Sequence, residues 1–411
     1  MPALRNSPLI FGAGSAIVSR DFMNRSVDHI LVSHAGNLPR PDDLEQLMAG
    51  GPGALDGFAK RLPSAVAEVV RRQADIGIDV VNDGELGKIG GFSSYVRDRL
   101  GGLEQRELKT KEEAAPLNVS ARDAREFPGF FASGQGGFGR FQRIPGTAAA
   151  NSRVYCTSPI TYIGQANART DIENFKAALK GLHVEAYMPA VAPGTIEHWL
   201  FNDYYASEEE FLFAIADAMH YEYKAITDAG FILQVDDPDL PDGWQIYPDM
   251  SVADYRKYAE MRVDALNHAL RDLPQSQIRL HVCWGSGHGP HKNDIPLKDI
   301  IDVILKVKAD CYSVEAANPR HEHEWRAWQE VKLPEGKSLM PGVAGHVTDL
   351  IEHPQLIADR LVRYANIVGR ENVQAGTDCG IGSRVGHPEI AWAKLAALAE
   401  GARLATKELW R

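Results

Sequence analysis

From about residue 28 onward, short Val/Ile-rich runs alternate with longer amphipathic stretches, the pattern of parallel strands covered by helices. Eight runs read as strands: residues 30–36, 78–85, 184–193, 231–237, 278–284, 311–317, 338–345 and 372–379. Between them, apolar residues recur every three or four positions in SAVAEVVRRQADIG, in residues 208–229, and in VADYRKYAEMRVDALNHALRD, LKDIIDVILKVKA, PQLIADRLVRYANIVG and PEIAWAKLAALAEGARLATKEL. That periodicity predicts helices. Eight strand–helix units predict an α/β fold closed as a (β/α)8 TIM barrel. A ninth strand-like run, VYCTSPITY at 154–162, must then lie outside the barrel. The stretch 87–152 breaks the rhythm with GKIGGF, a charged LEQRELKTKEEAA and the Gly/aromatic-rich FPGFFASGQGGFGRFQRIPG. It predicts an inserted excursion after the second strand, and its phenylalanines suggest a packed lid over the mouth. Residues 1–411 are thus expected to form a single barrel, with 87–152 as lid or insertion.

Composition narrows the function. The 411 residues, 44% of them hydrophobic, suffice for two ordinary domains or one elaborated barrel. A net charge of −11 offers no electrostatic footprint for a nucleic-acid backbone. Four cysteines are few for this length, so a reducing cytoplasm fits better than a disulfide framework. No apolar run is long enough to cross a bilayer. Near the N-terminus LIFGAGSAIV is broken by Gly and Ser and lacks a small-residue cleavage site, which argues against a secretory leader.

The chemistry collects at strand ends. Strand side chains alternate faces, so His281 and Cys283 point the same way. Glu315 and Cys379 also end strands, and in a parallel barrel all these ends open on one face, where such barrels carry their chemistry. Two thiolates, an imidazole and a carboxylate suit tetrahedral Zn²⁺. An isolated HxC is more often a core cysteine beside a hydrogen-bonded histidine; the strand-terminal Glu and Asp-Cys-Gly turn it into a metal motif. Cys156 and Cys311 lack such company and read as small buried side chains.

Taken in order, HVC at 281–283, VE at 314–315 and TDCG at 377–380 resemble the catalytic barrel of cobalamin-independent methionine synthases. The half-length relatives of that family, which include epoxyalkane:coenzyme M transferases, are similar too, and the likeness runs from about residue 28 to the end. The resemblance implies a zinc enzyme with His281, Cys283, Glu315 and Cys379 as ligands. It also implies that Asp236, in QVDDP at 234–238, holds the amino group of an amino-acid thiol, and that Glu85 is the carboxylate after the second strand. Ala35-Gly36-Asn37 is similar to the first-strand loop whose backbone receives the substrate carboxylate. Two departures stand out. Full-length synthases carry a second, N-terminal barrel that helps bind polyglutamylated folate, for which this chain leaves no room, so the methyl donor stays open. The family's general-acid histidine follows a Pro-Gly-Val turn; here Pro341-Gly342-Val343 leads to His346, one place short of register.

A free thiol has a pKa near ~8.5 and only its thiolate attacks, so a metal-bound thiol supplies the nucleophile at neutral pH. The expected class is S-alkylation of a small-molecule thiol by an alkyl donor. His346 or Asp378 could supply the acid at the leaving atom, although Asp378 adjoins a ligand and could equally orient it. His34 either lines the pocket or is hydrogen-bonded at the rim. His288 and His291, on a Gly-rich loop, could contact an anionic substrate, while His321-Glu322-His323-Glu324 reads as the solvated start of a helix. Asp236, Asp237 and Asp239 could form a hard-cation cluster, but strand neighbours face opposite ways, so ammonium recognition by one of them is the better reading. Trp199, Phe201, Tyr204 and Tyr205 either wall the pocket or cover a helix start. The leading expectation is zinc-dependent methyl transfer to homocysteine or a similar thiol from a methylfolate or methylcorrinoid. Addition of a coenzyme-M-type thiol to an epoxide or other alkyl electrophile is the alternative, followed by a barrel that only sequesters thiol or zinc and by a metal-free decarboxylase-like barrel.

Overall fold

A computed structural model describes residues 23–91, 94–107, 119–133, 152–285, 287–382 and 384–411. Its strands are β1 (Leu31–Val32), β2 (Val80–Val81), β3 (Leu100–Glu107), β4 (Ser152–Tyr162), β5 (Glu185–Val191), β6 (Leu200–Asn202), β7 (Ile232–Asp236), β8 (Ile278–Val282), β9 (Cys311–Glu315), β10 (Ser338–Ala344) and β11 (Gln374–Thr377). Eight of them pair in parallel in the order β1-β11-β10-β9-β8-β7-β5-β2. The two ends of that sheet meet: Asp79 N donates to Val32 O (2.9 Å), Val32 N donates to Asp79 Oδ2 (2.9 Å), and Ser33 Oγ donates to Val80 O (3.0 Å). The chain is a (β/α)8 TIM barrel. Each of the eight runs expected as strands contains one. β1 and β2 are shorter than their runs because the Ser33 and Asp79 side chains take over bonds a longer ladder would make.

Helices cover the barrel because each has one apolar stripe to bury. Glu208–Asp228 starts where Ser207 accepts from Glu210 N, with Glu208, Glu209 and Glu210 in its first turn, and it buries Phe211, Leu212, Ile215, Met219 and Tyr223. Each such side chain contributes about 1.5–3 kcal/mol by leaving water. Val252–Ala269, Pro354–Val368 and Pro388–Leu409 follow the expected periods. LKDIIDVILKVKA does not: it forms a 3-10 turn at Leu297–Asp299 and a single helical turn at Ile301–Ile304. Ile300, Ile301, Val303, Ile304 and Val307 are all buried, so this β-branched segment is wrapped by core rather than helical with one wet face.

The excursion leaves the barrel after β2. β3 and β4 pair antiparallel and β6 adds parallel to β4, so residues 154–162 lie in a separate three-stranded sheet. Buried polar groups fasten this sheet to the barrel: Arg99 pairs with Asp171 and with Glu222 (3.2 Å), and the Tyr95 and Tyr162 hydroxyls donate to Glu222 (2.7 Å each). Further along, the helix Ala121–Glu126 docks on the mouth side. Arg122 lies 3.2 Å from the Trp244 ring centroid and donates to the Trp244, Tyr247 and Met250 carbonyls. Asp123 Oδ1 accepts from Asn293 N (3.0 Å) and Nδ2 (2.9 Å) in the loop after β8. The LIFGAGSAIV segment and, within 87–152, residues 92–93, 108–118 and 134–151 lie outside the described residues. Among the described residues no helix is long and apolar enough to cross a membrane.

Candidate metal centre and thiol pocket

β8 delivers His281 and, one residue past its end, Cys283 to the mouth; Cys379 follows β11. One ligand atom each from His281, Cys283 and Cys379 lies within 4.8 Å of the others, and the two sulfurs are 3.9 Å apart. Two sulfurs bound tetrahedrally at about 2.3 Å from one ion stand about 3.8 Å apart, so the spacing fits zinc. His281 Nδ1 lies 2.9 Å from Ser313 Oγ on β9, while its Nε2 is buried with no nitrogen or oxygen partner. The ring is therefore oriented with Nε2 toward the sulfurs.

Glu315 ends β9, fully buried, with both carboxylate oxygens unpartnered; its Oε1 is 3.9 Å from His346 Nδ1. It is not part of the 4.8 Å triad. His346 is also fully buried, and neither ring nitrogen has a hydrogen-bond partner. Burial pushes it down to about 4, although the sulfur of Cys379 works the other way, so it is neutral at pH 7. The Cys283 thiol, followed by His281, holds Cys379 well below the usual thiol range despite burial, and Cys283 itself is pushed well above that range by Cys379 and by burial. Burial, with Asp378 and Cys379, pushes Glu315 up as well. The unpartnered buried oxygens of Glu315 and ring nitrogens of His346 are costly as they stand, and a divalent cation at this cluster would remove part of that cost. The residues fit zinc.

Asp378, next to Cys379, accepts from Ala316 N (2.8 Å) and Ala317 N (2.9 Å), so it fixes the turn leaving Glu315. Gly342 leaves it space: a Cβ there would meet the Asp378 Cα at 2.5 Å. Burial raises Asp378 to about 7 against the pull of those two N–H groups.

The expected substrate residues converge beside this centre. Asp236 is the register partner of His281, and Gln234 Nε2 donates both to Asp236 Oδ1 and to Ala35 O (2.7 Å each). Burial raises Asp236 to about 7, with Glu85 adding to the effect and His281 opposing it. Glu85, at φ +57°, lies so close to Gly36 that a Cβ there would come within 2.4 Å of its Oε1. Its strained backbone is held by its own N–H on Asp83 Oδ1 (2.9 Å). Asn37 O accepts from Ile381 N (3.0 Å) and Gly382 N (2.9 Å), which ties this first-strand loop to the loop bearing Cys379. His34 is placed differently. Its Nε2 meets Gln73 Oε1 (2.9 Å), while its Nδ1 accepts from Gly36 N (3.2 Å) and faces the Tyr187 hydroxyl (3.1 Å), so both ring nitrogens are engaged inside the barrel.

Two loop readings change. His321 is not solvated: it is 3% exposed, stacks on Trp284 at 4.1 Å, and bonds Glu324 (2.9 Å) and Asp294 (3.1 Å). His291 is bound to the same Asp294 (2.8 Å) and to Gly287 O (2.8 Å), bracing the loop after Cys283. The sequence reading missed Ser313, Gln234 and Lys88. Ser313 was within reach, since it is the register partner of His281 on the next strand.

Fold and site together define a (β/α)8 barrel with a buried cluster of soft ligands at its mouth. The chain belongs to the cobalamin-independent synthase catalytic-domain family, whose model matches residues 139–403. Curated relatives include methionine synthases of Thermococcus kodakarensis, 27% identical over 226 residues (54% of this chain, 58% of the relative), and Saccharolobus solfataricus, 25% over 222 residues (53% and 58%). The match thus spans less than two thirds of those relatives' length. Among solved structures, a B12-independent methionine synthase from a Shewanella species in complex with selenomethionine aligns at TM-score 0.66 and 20% identity over 93% of this chain and 99% of that one. A putative vitamin-B12-independent methionine synthase from Listeria monocytogenes aligns at TM-score 0.62 and 17% identity, over 92% and 98%. At these identities the likeness is one of fold.

Proposed function

We propose that this chain is a zinc-dependent S-methyltransferase acting on homocysteine or a similar amino-acid thiol, with a methylfolate or methylcorrinoid as donor. The observation that carries this reading is the sulfur pair at 3.9 Å beside His281, in register with Asp236 at the barrel mouth. His281, Cys283 and Cys379, with Glu315, would hold the metal. Bound there, zinc would lower the pKa of a substrate thiol and so supply a thiolate at neutral pH, where a free thiol with a pKa near ~8.5 is mostly protonated. Asp236 and Glu85 face the amino group, and the backbone of Ala35-Gly36-Asn37 faces the carboxylate. The substrate sulfur forms its bond to the methyl carbon as the bond from that carbon to the donor breaks. With a folate donor the leaving nitrogen takes a proton: the one the substrate thiol gives up on becoming a thiolate passes to the basic ring nitrogen of neutral His346, buried beside Glu315, and from the imidazolium so formed to the leaving nitrogen. Asp378, committed to the Ala316 and Ala317 amides, orients Glu315. We read residues 1–411 as one barrel and the docked helix Ala121–Glu126 as part of a cover over the mouth, in a cytoplasmic enzyme with small-molecule partners.

The test is direct. Purified protein should carry one zinc per chain and form methionine from homocysteine with methyltetrahydrofolate or methylcobalamin. Zinc-loaded protein inert with both donors overturns the reading, and turnover of coenzyme M with an epoxide instead would move it to the alkyl-addition alternative.

A further inference from the structure

Lys88 has no role in the chemistry above, yet its position is unusual. It lies in the glycine-rich GKIGGF segment, where a lysine would normally be solvated, but is only 8% exposed. Its Nζ donates to Glu85 Oε2 (3.0 Å) and to Pro189 O (2.9 Å), and it lies 4.6 Å from the Tyr95 ring centroid. That ring is fixed, because the Tyr95 hydroxyl donates to Glu222 (2.7 Å). Burial would lower the Lys88 ammonium, but attraction from Glu85, Asp236 and Asp83 outweighs it and holds the group charged. A buried ammonium is tolerated only when paired in good geometry, so this one is a fixed part of the pocket.

Its effect is twofold. Bound through Oε2, the Glu85 carboxylate is turned with Oε1 against Gly36, the loop facing the substrate carboxylate. The ammonium of Lys88 offsets the charge of Glu85, whereas Asp236, the register partner of His281, is bonded by the neutral Gln234 amide. We propose that Lys88 is a positioning residue that aims Glu85 at the Gly36 loop and neutralises it, so that the pocket accepts a thiol bearing a single ammonium group. The inference rests on the function proposed above and specifies its substrate class. A lysine that bound a substrate sulfonate or carboxylate would need an open Nζ; here Glu85, Pro189 and the Tyr95 face surround it.

The test compares two thiols on zinc-loaded protein by calorimetry: L-homocysteine and 4-mercaptobutyrate, the same skeleton without the amine. Lys88→Met should weaken homocysteine binding at least tenfold and change 4-mercaptobutyrate binding less than threefold, with zinc content unaltered. Lys88→Arg, which keeps the charge, should restore homocysteine to within about fivefold of the wild type. Should Lys88→Met not fold, Lys88→Gln replaces it with the same expected pattern. Equal losses for both thiols would mark a merely structural lysine, selective loss of 4-mercaptobutyrate a carboxylate ligand, and no change an idle group; each overturns the proposal. A wild type that binds zinc but not homocysteine fails earlier and takes the functional reading with it.

Discussion

His281 Nδ1 and Ser313 Oγ face each other across β8 and β9 at 2.9 Å, and this contact turns the opposite ring nitrogen toward the two sulfurs. Ligand histidines depend on such partners for ring orientation and basicity. Ser313→Ala should therefore lower zinc affinity about 10–100-fold without unfolding the chain, as measured by competition with a chromogenic chelator.

Cys379 is the stronger lesion. Replacing it with serine removes the sulfur held as thiolate and splits the pair at 3.9 Å. Zinc in the purified protein should fall from one per chain to near zero by mass spectrometry. Retained stoichiometric zinc would show that the ion is held elsewhere.

Asp236→Asn keeps the shape and removes the charge beside His281. A charge-assisted hydrogen bond is worth about 1.5–3 kcal/mol, so KM for homocysteine should rise roughly 10–150-fold while zinc content stays unchanged. A fall in zinc content instead would mean that Asp236 supports the metal rather than the amine.

Asp237 makes a pH-dependent contribution to stability. Burial, with repulsion from Asp239, raises its carboxyl from 3.8 to about 8. The folded state therefore keeps a proton that the unfolded chain loses near pH 4, and this group's stabilisation declines as pH rises toward 8. Asp237→Asn has no proton to lose. Relative to the wild type it should gain roughly 2 kcal/mol or more between pH 5 and pH 8 in urea denaturation. Parallel stability profiles for the two proteins would contradict this.

Asp123 ties the excursion to the loop after β8 through Asn293. Asp123→Ala should speed hydrogen exchange in residues 119–133 and 287–294 while leaving the barrel strands unchanged.

The barrel was legible because its strands are buried runs of Val, Ile and Leu set at regular intervals between amphipathic stretches. The clustering of His281, Cys283 and Cys379 was legible because His281 and Cys283 share a strand face and Cys379 ends another strand. Lys88 was not: a lysine among glycines has the composition of an exposed loop, and only the fold brings Pro189, some hundred residues later, to its ammonium. His321 was misread for the same reason. Its acidic neighbours resemble a wet helix start, whereas Trp284 and Asp294, which bury it, lie on a distant part of the chain. Local pattern reports backbone state and face; long-range burial of charge is set by topology.

The seam between β1 and β2 has a last consequence. Side chains of Ser33 and Asp79 stitch it where other neighbouring strands have ladders, and Gly36 and Glu85 stand on its opposite banks. A molecule bound against both banks would add a clamp to a wall that only a few bonds hold closed at this point. Ligand-induced protection should accordingly be greatest along this joint and fade toward β9, on the far side of the ring.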